Sequence, residues 1–238
     1  MYLQNRNVEY TLNAVALAHK LGCTTFIGAG SQAEYGRRRE ALRADTPAFP
    51  ETGYGMAKLC AGQMSRQLCK ERGIRHIWAR ILSVYGPYDG PQSLVSMVIR
   101  KLLAGERVEL TRGEQLWDYL YAKDAARMLY LLGKDGRAGH TYCLGSGKAL
   151  ALRSYVECIC TEVEKILAQT KKTMGTGGRL ETLLGFGEIP YADGQLMYLC
   201  ADKGELEADI GPFSCVSFAE GIRETVAWHL GRTADDGR

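Results

Sequence analysis

Apolar residues recur at helical spacing over 8–21, VEYTLNAVALAHKL, with Val8, Leu12 and Val15 on one face and Leu17 and Leu21 on another, and the run stops at Gly22. Apolar positions on two faces predict a helix buried on two sides. Thr24 to Ile27 is a short β-branched and aromatic run, predicting a strand that delivers Ser31 to its end. Residues 36–53 carry Pro47, Pro50, Gly53 and many charges, and predict a loop. Helical spacing resumes over 54–72, with Ala57, Ala61 and Met64 on one side and Cys60 and Leu68 nearby. The small residues at 57 and 61 allow another backbone to approach closely.

Residues 74–84, IRHIWARILSV, predict a strand ended by Tyr85-Gly86-Pro87, and Pro91 starts a helix through Leu103. Strand-like segments at 107–111 and 116–121 lead to a helix over Lys123 to Leu132, which Gly133 ends. A strand at 140–144, a Gly-Ser-Gly turn and a long helix over 151–168 follow. A Gly-rich surface loop, GTGGRLETLLGFGEIPY, a strand at 196–200 and a helix at 217–230 complete the series. Strands alternating with helices predict an α/β fold with parallel strands.

Composition narrows the class. The chain has 238 residues and 46% hydrophobic content, enough for a substantial core in one large domain or two small ones. Thirty basic and 27 acidic residues give a net +3 that is spread along the chain, which argues against a nucleic-acid footprint. The one dense cluster, Arg37-Arg38-Arg39, reads as a solvated loop. No apolar run approaches the roughly 18 residues of a membrane span, and the first ten residues lack a signal-peptide core, so the expected location is the cytoplasm. Of eight cysteines, Cys158-x-Cys160 is the only close pair. The absence of CxxC predicts reduced thiols and no metal, with Cys23, Cys60, Cys69 and Cys158 in apolar-periodic contexts that suit small buried residues.

Two phosphate-loop patterns fail on context. Gly28-Ala29-Gly30-Ser31-Gln32-Ala33 matches GxGxxA after a strand, with Glu51 about 20 residues on. A dinucleotide fingerprint also needs a helix starting inside the glycines and a second strand ending at the acidic residue. Here Gly36 interrupts and Glu51 lies in a Pro-rich loop. Gly147-Lys148 has Tyr142 and Ala149 where a P-loop needs Gly and Ser or Thr, so it is a turn.

Tyr-x-x-x-Lys puts a phenol and an ammonium on one helical face. Thirteen tyrosines and eleven lysines predict about 0.6 chance matches, and three occur: Tyr54 with Lys58, Tyr119 with Lys123, and Tyr130 with Lys134. Only Tyr54 starts a helix and has a hydroxyl residue upstream at a strand end. A phenol with reference pKa near 10 is a poor base at neutral pH, and an adjacent ammonium favours phenolate. Ser31 would hydrogen-bond the same substrate oxygen while Tyr54 moves the proton. Taken alone, Ser31, Tyr54 and Lys58 suit a catalytic set and three unrelated surface residues equally.

With RILSVYGP, WDYLYAKDAARMLYLL and YCLGSGKALALRSY added, the chain resembles the extended short-chain dehydrogenases, the NAD-dependent epimerase/dehydratase family, over essentially its whole length. The resemblance implies a truncated Rossmann-like parallel sheet with a smaller C-terminal substrate-binding region. Residues 1–145 would hold the remaining Rossmann-like part, with segments over 85–120 on the substrate side, and 146–238 the substrate-binding part. It implies Ser31, Tyr54 and Lys58 as catalytic. Tyr54, Lys58, Ile81 and Val84 would contact NAD or NADP, and Ser31, Gln32, Ser83 and Trp117 a nucleotide-diphosphate sugar. Ser83 stands where the family often has Asn, and Trp117 where many members have Arg. Dehydratases carry Asp-Glu directly after the hydroxyl residue. Gln32-Ala33 stand there instead, which points to epimerisation or 4-keto reduction, with Gln32 and Trp117 inclining toward a reductase.

A full family member opens with a strand, a Gly-rich turn and a helix that bind NAD, and this chain begins after that unit. The resemblance therefore leaves three readings open. One is the C-terminal part of an epimerase or reductase. Another is a non-catalytic remnant that binds a partner, with homodimer formation through helices 8–21 and 54–72. The last is a split enzyme.

Overall fold

Helices and strands alternate as the two periodicities predict in a computed structural model, which describes residues 2–170 and 179–235. The first half comprises α1 (Asn5–Lys20), β1 (Thr25–Ser31), α2 (Gly53–Glu71), β2 (Arg75–Ile81), β3 (Ser83–Tyr85) and α3 (Leu94–Ala104). Next come β4 (Val108–Leu110), β5 (Leu116–Trp117), β6 (Tyr119–Tyr121), α4 (Ala122–Asp135) and β7 (His140–Leu144). The chain continues with β8 (Leu150–Ala151), α5 (Leu152–Thr170), β9 (Leu184–Phe186), β10 (Tyr198–Leu199), α6 (Gly204–Ile210) and α7 (Phe218–Asp235).

A three-stranded parallel sheet, ordered β1-β2-β7, carries the site. β1 runs past the apolar run through both glycines, in register with β2 as far as Ser31 opposite Ile81. The single strand expected over 74–84 is two strands. At Leu82 the backbone amide turns to Leu144 O at 2.9 Å, and β3 leaves the sheet to pair in parallel with β6. β5 pairs with β10 and β8, and β4 with β9.

Local chemistry sets the helix ends. The Thr52 hydroxyl accepts the Gly55 amide at 3.0 Å and starts α2. α3 begins at a Ser93 cap, two residues after Pro91, and stops at Gly105, whose φ of 71° suits glycine. α4 continues through Gly133 to Asp135 rather than ending there, with Ile27 lying close against the glycine. Part of the expected Gly-rich surface loop, residues 175–178, lies outside the described residues. Beyond them the expected loop is overturned in part, since Leu184–Phe186 forms β9 beside β4.

Ile77, Leu120, Met128, Leu132 and Leu144 fill the space between the sheet and α4. Val98, Ile99, Val156, Ile159 and Val226 bury α3, α5 and α7 against one another. On the other side of the sheet, Val15, Cys69 and Ile74 pack α1 and α2 on β1. Two expectations fail there. The second face of α1 is not buried: Leu17 is 57% and Leu21 71% exposed. Met64 and Cys60 are also exposed, because α2 turns Ala57, Ala61 and Gly62 inward instead, and Cys23 is exposed in the turn between α1 and β1. Among the described residues no cysteine is paired, and no helix is long and apolar enough to cross a membrane.

Candidate active site

Trp78 explains the glycines of β1. A methyl group at position 28 would lie 2.1 Å from the Trp78 ring, at position 30 2.4 Å, and at position 62 of α2 2.7 Å. The indole therefore fills a slot that only glycine leaves open. Gly28 and Gly30 are strand residues under a tryptophan and form no phosphate cradle, so the GxGxxA pattern is accounted for by packing.

Beyond Gly30 the chain makes a short 3-10 turn, Gln32–Glu34, closed by a reciprocal capping box. The Ser31 hydroxyl accepts the Ala33 amide at 3.2 Å, and the Glu34 carboxylate accepts the Ser31 amide at 2.8 Å. Glu34 is fully buried, and it also takes Trp78 Nε1 at 3.0 Å and Arg80 Nε at 2.6 Å. A buried carboxylate needs such partners, and here every one of them points inward.

Across from this turn, α2 presents Tyr54 near its start. Tyr54 is 41% exposed, and its hydroxyl makes no hydrogen bond among the described residues. One turn later, Lys58 Nζ donates to Ala29 O at 3.0 Å and lies 5.9 Å from the Tyr54 ring centre. Lys58 thereby fastens the start of α2 to β1 two residues before Ser31. Ile81, expected at the cofactor, stands beside Ser31 in the sheet register, at the carboxyl end where open α/β sheets bind ligands. Gln32 is half-buried in the turn.

The other expected residues gather elsewhere. Ser83, Val84 and Trp117 line a cavity of about 450 Å³ with Gln115, Tyr119 and Phe186. The Trp117 indole donates to Ser83 Oγ at 2.7 Å, so the two departures from the family pattern are bonded to each other. Ser31, Tyr54 and Lys58 do not line this cavity. Its charged lining among the described residues is Asp89 and Glu109, and the start of α3 at Ser93 and Leu94 adds the positive end of a helix. Burial, then the nearby Tyr155 and Asp89, hold the Tyr119 phenol well above its ordinary pKa, so it stands in the wall as a neutral group.

Next to Trp117, the buried Asp118 accepts the amides of Ser146, Gly147 and Ala201 at 2.8, 3.0 and 3.0 Å and pins the Gly-Ser-Gly turn. Sequence reasoning missed Glu34, Trp78, Arg80 and Tyr119. For Glu34 the signal was present, because Ser31-x-x-Glu34 is a capping-box spacing. No metal-ligating group of three or more His, Cys, Asp or Glu side chains gathers among the described residues.

The sequence profile of the NAD dependent epimerase/dehydratase family matches residues 1–145. The chain belongs to this family, and its fold is the Rossmann-like α/β fold of the extended short-chain dehydrogenases. It is 28% identical over 194 residues to a dTDP-glucose 4,6-dehydratase of Salmonella typhimurium, covering 81% of this chain and 51% of that protein. A dTDP-glucose 4,6-dehydratase of Neisseria meningitidis is 28% identical over 185 residues. The chain thus spans about half the length of the curated relatives it matches. Among solved structures, UDP-glucose 4-epimerase from Thermotoga maritima with UDP-glucose superposes with TM-score 0.79 at 20% identity, covering 97% of this chain and 71% of that one. RMD from Pseudomonas aeruginosa complexed with NADPH gives 0.79 at 18%, covering 95% and 73%.

Proposed function

We propose that the chain carries the acid/base part of a hydride-transfer site for a nucleotide-diphosphate sugar, and that the reaction is epimerisation or 4-keto reduction. The observation that carries this reading is the fastening of Lys58 to Ala29 O, which holds Tyr54 and Lys58 at the strand end that presents Ser31. Tyr54 moves the proton of the sugar oxygen and the Ser31 hydroxyl donates to that oxygen. Because Ser31 Oγ already accepts the Ala33 amide, its own proton remains available for donation.

Elimination would need an acid and a base beside Ser31, and Gln32 and Ala33 supply neither. The carboxylate in this turn, Glu34, is fully buried and committed to inward partners. The family relationship to 4,6-dehydratases therefore does not carry their reaction to this site.

NAD or NADP would supply and accept the hydride. Tyr54, Lys58, Ile81 and Val84 suit its nicotinamide end, since Tyr54 and Lys58 stand in the first turns of α2, Ile81 at the carboxyl end of β2 and Val84 just beyond it in β3. Among the described residues no strand, Gly-rich turn and helix follow one another to hold its pyrophosphate. The cavity of about 450 Å³ is of ligand size, and Ser83, Gln115 and Trp117 would meet the nucleotide sugar there. Its lining comes from residues 83–119 and 152–195, which supports dividing the chain into a Rossmann-like part, 1–145, and a mainly substrate-binding part, 146–238, interleaved over 85–120.

The exposed apolar residues of α1 and α2 favour a homodimer through these helices. They include Leu17, Leu21 and Tyr10, at 57, 71 and 60% exposure, and Met56 and Met64, at 47 and 45%. A chain that dimerises without turnover would be the non-catalytic, partner-binding alternative. Fluorescence titration of NADH and NADPH into the 238-residue chain, with Tyr54→Phe beside it, tests the reading. Micromolar binding followed by epimerase or reductase turnover that Tyr54→Phe abolishes supports it. A folded chain that binds neither nucleotide overturns it, and light scattering then reports on the dimer.

A further inference from the structure

Glu34 does more than satisfy a turn. Four features converge on it: the Ser31 amide at 2.8 Å, Trp78 Nε1 at 3.0 Å, Arg80 Nε at 2.6 Å, and complete burial. Trp78 and Arg80 stand two residues apart on β2 and so project to the same face of the sheet. Gly30, opposite Arg80 in the register, leaves room for the carboxylate, since a methyl group there would lie 2.6 Å from Glu34 Oε1. Arg80 is itself held from its other side, with its guanidinium 4.3 Å from the Tyr35 ring centre. The result is a rigid chain of contacts from Tyr35 through Arg80 and Glu34 to the backbone of Ser31. An ordinary capping box sits at the surface and is worth little more than one exposed hydrogen bond. This one is built around a buried ion pair, a costly arrangement whose best-attested use is to fix one geometry.

We infer that Glu34 is a positioning residue for Ser31: its carboxylate, locked by Arg80 and Trp78, fixes the Ser31 backbone and thereby the direction of the Ser31 hydroxyl. The inference rests on the proposed role of Ser31 as donor to the substrate oxygen. Glu34 itself touches no substrate, because it is fully enclosed. A misdirected hydroxyl loses its effect on the transition state while substrate binding, which lies mostly in the cavity at Ser83 and Trp117, is retained.

The test is a double-mutant cycle of Glu34→Gln with Ser31→Ala in the full chain, read as kcat and KM separately. In the unsubstituted background Glu34→Gln is expected to lower kcat about tenfold with KM changed less than about twofold. In the Ser31→Ala background the same substitution is expected to change kcat less than about twofold, because the group it directs is gone. An equal loss in both backgrounds overturns the inference, since a general weakening of the fold would act whether or not the hydroxyl is present. Should Glu34→Gln not fold, Glu34→Gln with Arg80→Met keeps the buried pair neutral and takes its place in the cycle.

A second readout separates this inference from the function on which it rests. If the unsubstituted chain shows no turnover with NAD(P)H and any UDP-, dTDP- or CDP-sugar, the proposed function falls. Amide hydrogen exchange then decides on Glu34 alone. Exchange at Ser31 at least about tenfold faster in the variant, with the neighbouring β1 amides unchanged, supports positioning, and unchanged exchange at Ser31 overturns it.

Discussion

The Ser31 turn and the Ser83–Trp117 wall each present a serine hydroxyl to the candidate site, but they hold it by different means. Ser31 is 9% exposed, and its backbone is fixed by a buried carboxylate that a buried arginine and an indole hold in turn. Ser83 is half-buried and is held by one bond from Trp117 in the wall of a mostly apolar cavity. A polar network enclosed in the sheet permits one geometry, since each unpaired group would cost about 1–3 kcal/mol. An apolar wall fixes shape and allows its polar groups to change. In this molecule the Ser31 end is set by enclosed charge, and the Ser83–Trp117 end by packing.

The packing beneath Ser31 offers the most drastic way to break the contrast. Gly28→Ala places a methyl group 2.1 Å from the Trp78 ring, and neither the strand nor the enclosed indole has room to move. A loss of about 3 kcal/mol in urea denaturation is expected, the upper end for overpacking. Gly90→Ala, where nothing lies within 4 Å of the new methyl group, is the control and should stay within about 0.5 kcal/mol. Equal midpoints for the two variants would mean that the indole is not wedged over β1.

His76, next on β2 and stacked between Phe26 and Trp78, probes the same region through pH. It is 3% exposed, its Nε2 pairs with Ser65 Oγ at 2.9 Å, and burial, then the charge of Arg66, lowers its pKa from 6.5 to about 4. The folded state therefore binds fewer protons than the unfolded state between these values. The contribution of neutral His76 is complete above pH 6.5 and is lost as pH falls through the window toward about 4. The stability difference between the unsubstituted chain and His76→Gln should shrink by about 2 kcal/mol from pH 7 to pH 4. A difference that stays constant over that range would show that His76 titrates normally.

These two regions also differ in how far the sequence disclosed them. The alternation of helices and strands was legible, because amphipathic spacing acts over neighbouring residues. The placement of Ser31 at a strand end and Tyr54 at a helix start was legible, because local signals mark both boundaries, and Lys58 follows Tyr54 by one helical turn. Trp78 was not, because its partners Gly28, Gly30 and Gly62 are brought to it by strand register and helix packing, which no local pattern encodes. For the same reason the apolar run marks only part of β1: it ends at Ile27, while pairing with β2 continues to Ser31, the strand end the sequence predicts. The seven residues of α6, GELEADI, were too few and too charged to show a periodicity. The Ser83–Trp117 bond spans 34 residues and could be seen only as two unrelated departures from a family pattern.

That bond gives a smaller prediction, on the cavity side. Trp117→Phe removes the indole donor to Ser83 and leaves most of the packing, so about 1 kcal/mol of stability should be lost. In a cycle with Ser83→Ala the two losses should not add, with a coupling of about 1 kcal/mol. Full additivity in urea denaturation would show that the bond contributes nothing. Neither substitution should alter the exchange of the Ser31 amide, because the two regions share no side chain.

The smallest effect on stability belongs to the residues on which the proposed chemistry depends most. Tyr54 is 41% exposed and its hydroxyl has no partner among the described residues, so Tyr54→Phe removes nothing that the fold uses. A change within about 0.5 kcal/mol is expected, the range for surface substitutions. Lys58→Met gives up one partly exposed bond to Ala29 O and should cost no more than about 1 kcal/mol. If the geometry serves catalysis, either variant nevertheless loses turnover by a factor of at least about 100, because Tyr54→Phe removes the group that moves the proton and Lys58→Met the charge that favours its phenolate. Residues that support the fold couple stability to activity, and Gly28 and His76 should behave so. A reactive pair separates them. Retained turnover in Tyr54→Phe, at unchanged stability, would remove Tyr54 from the mechanism and leave the start of α2 as part of a partner-binding helix face.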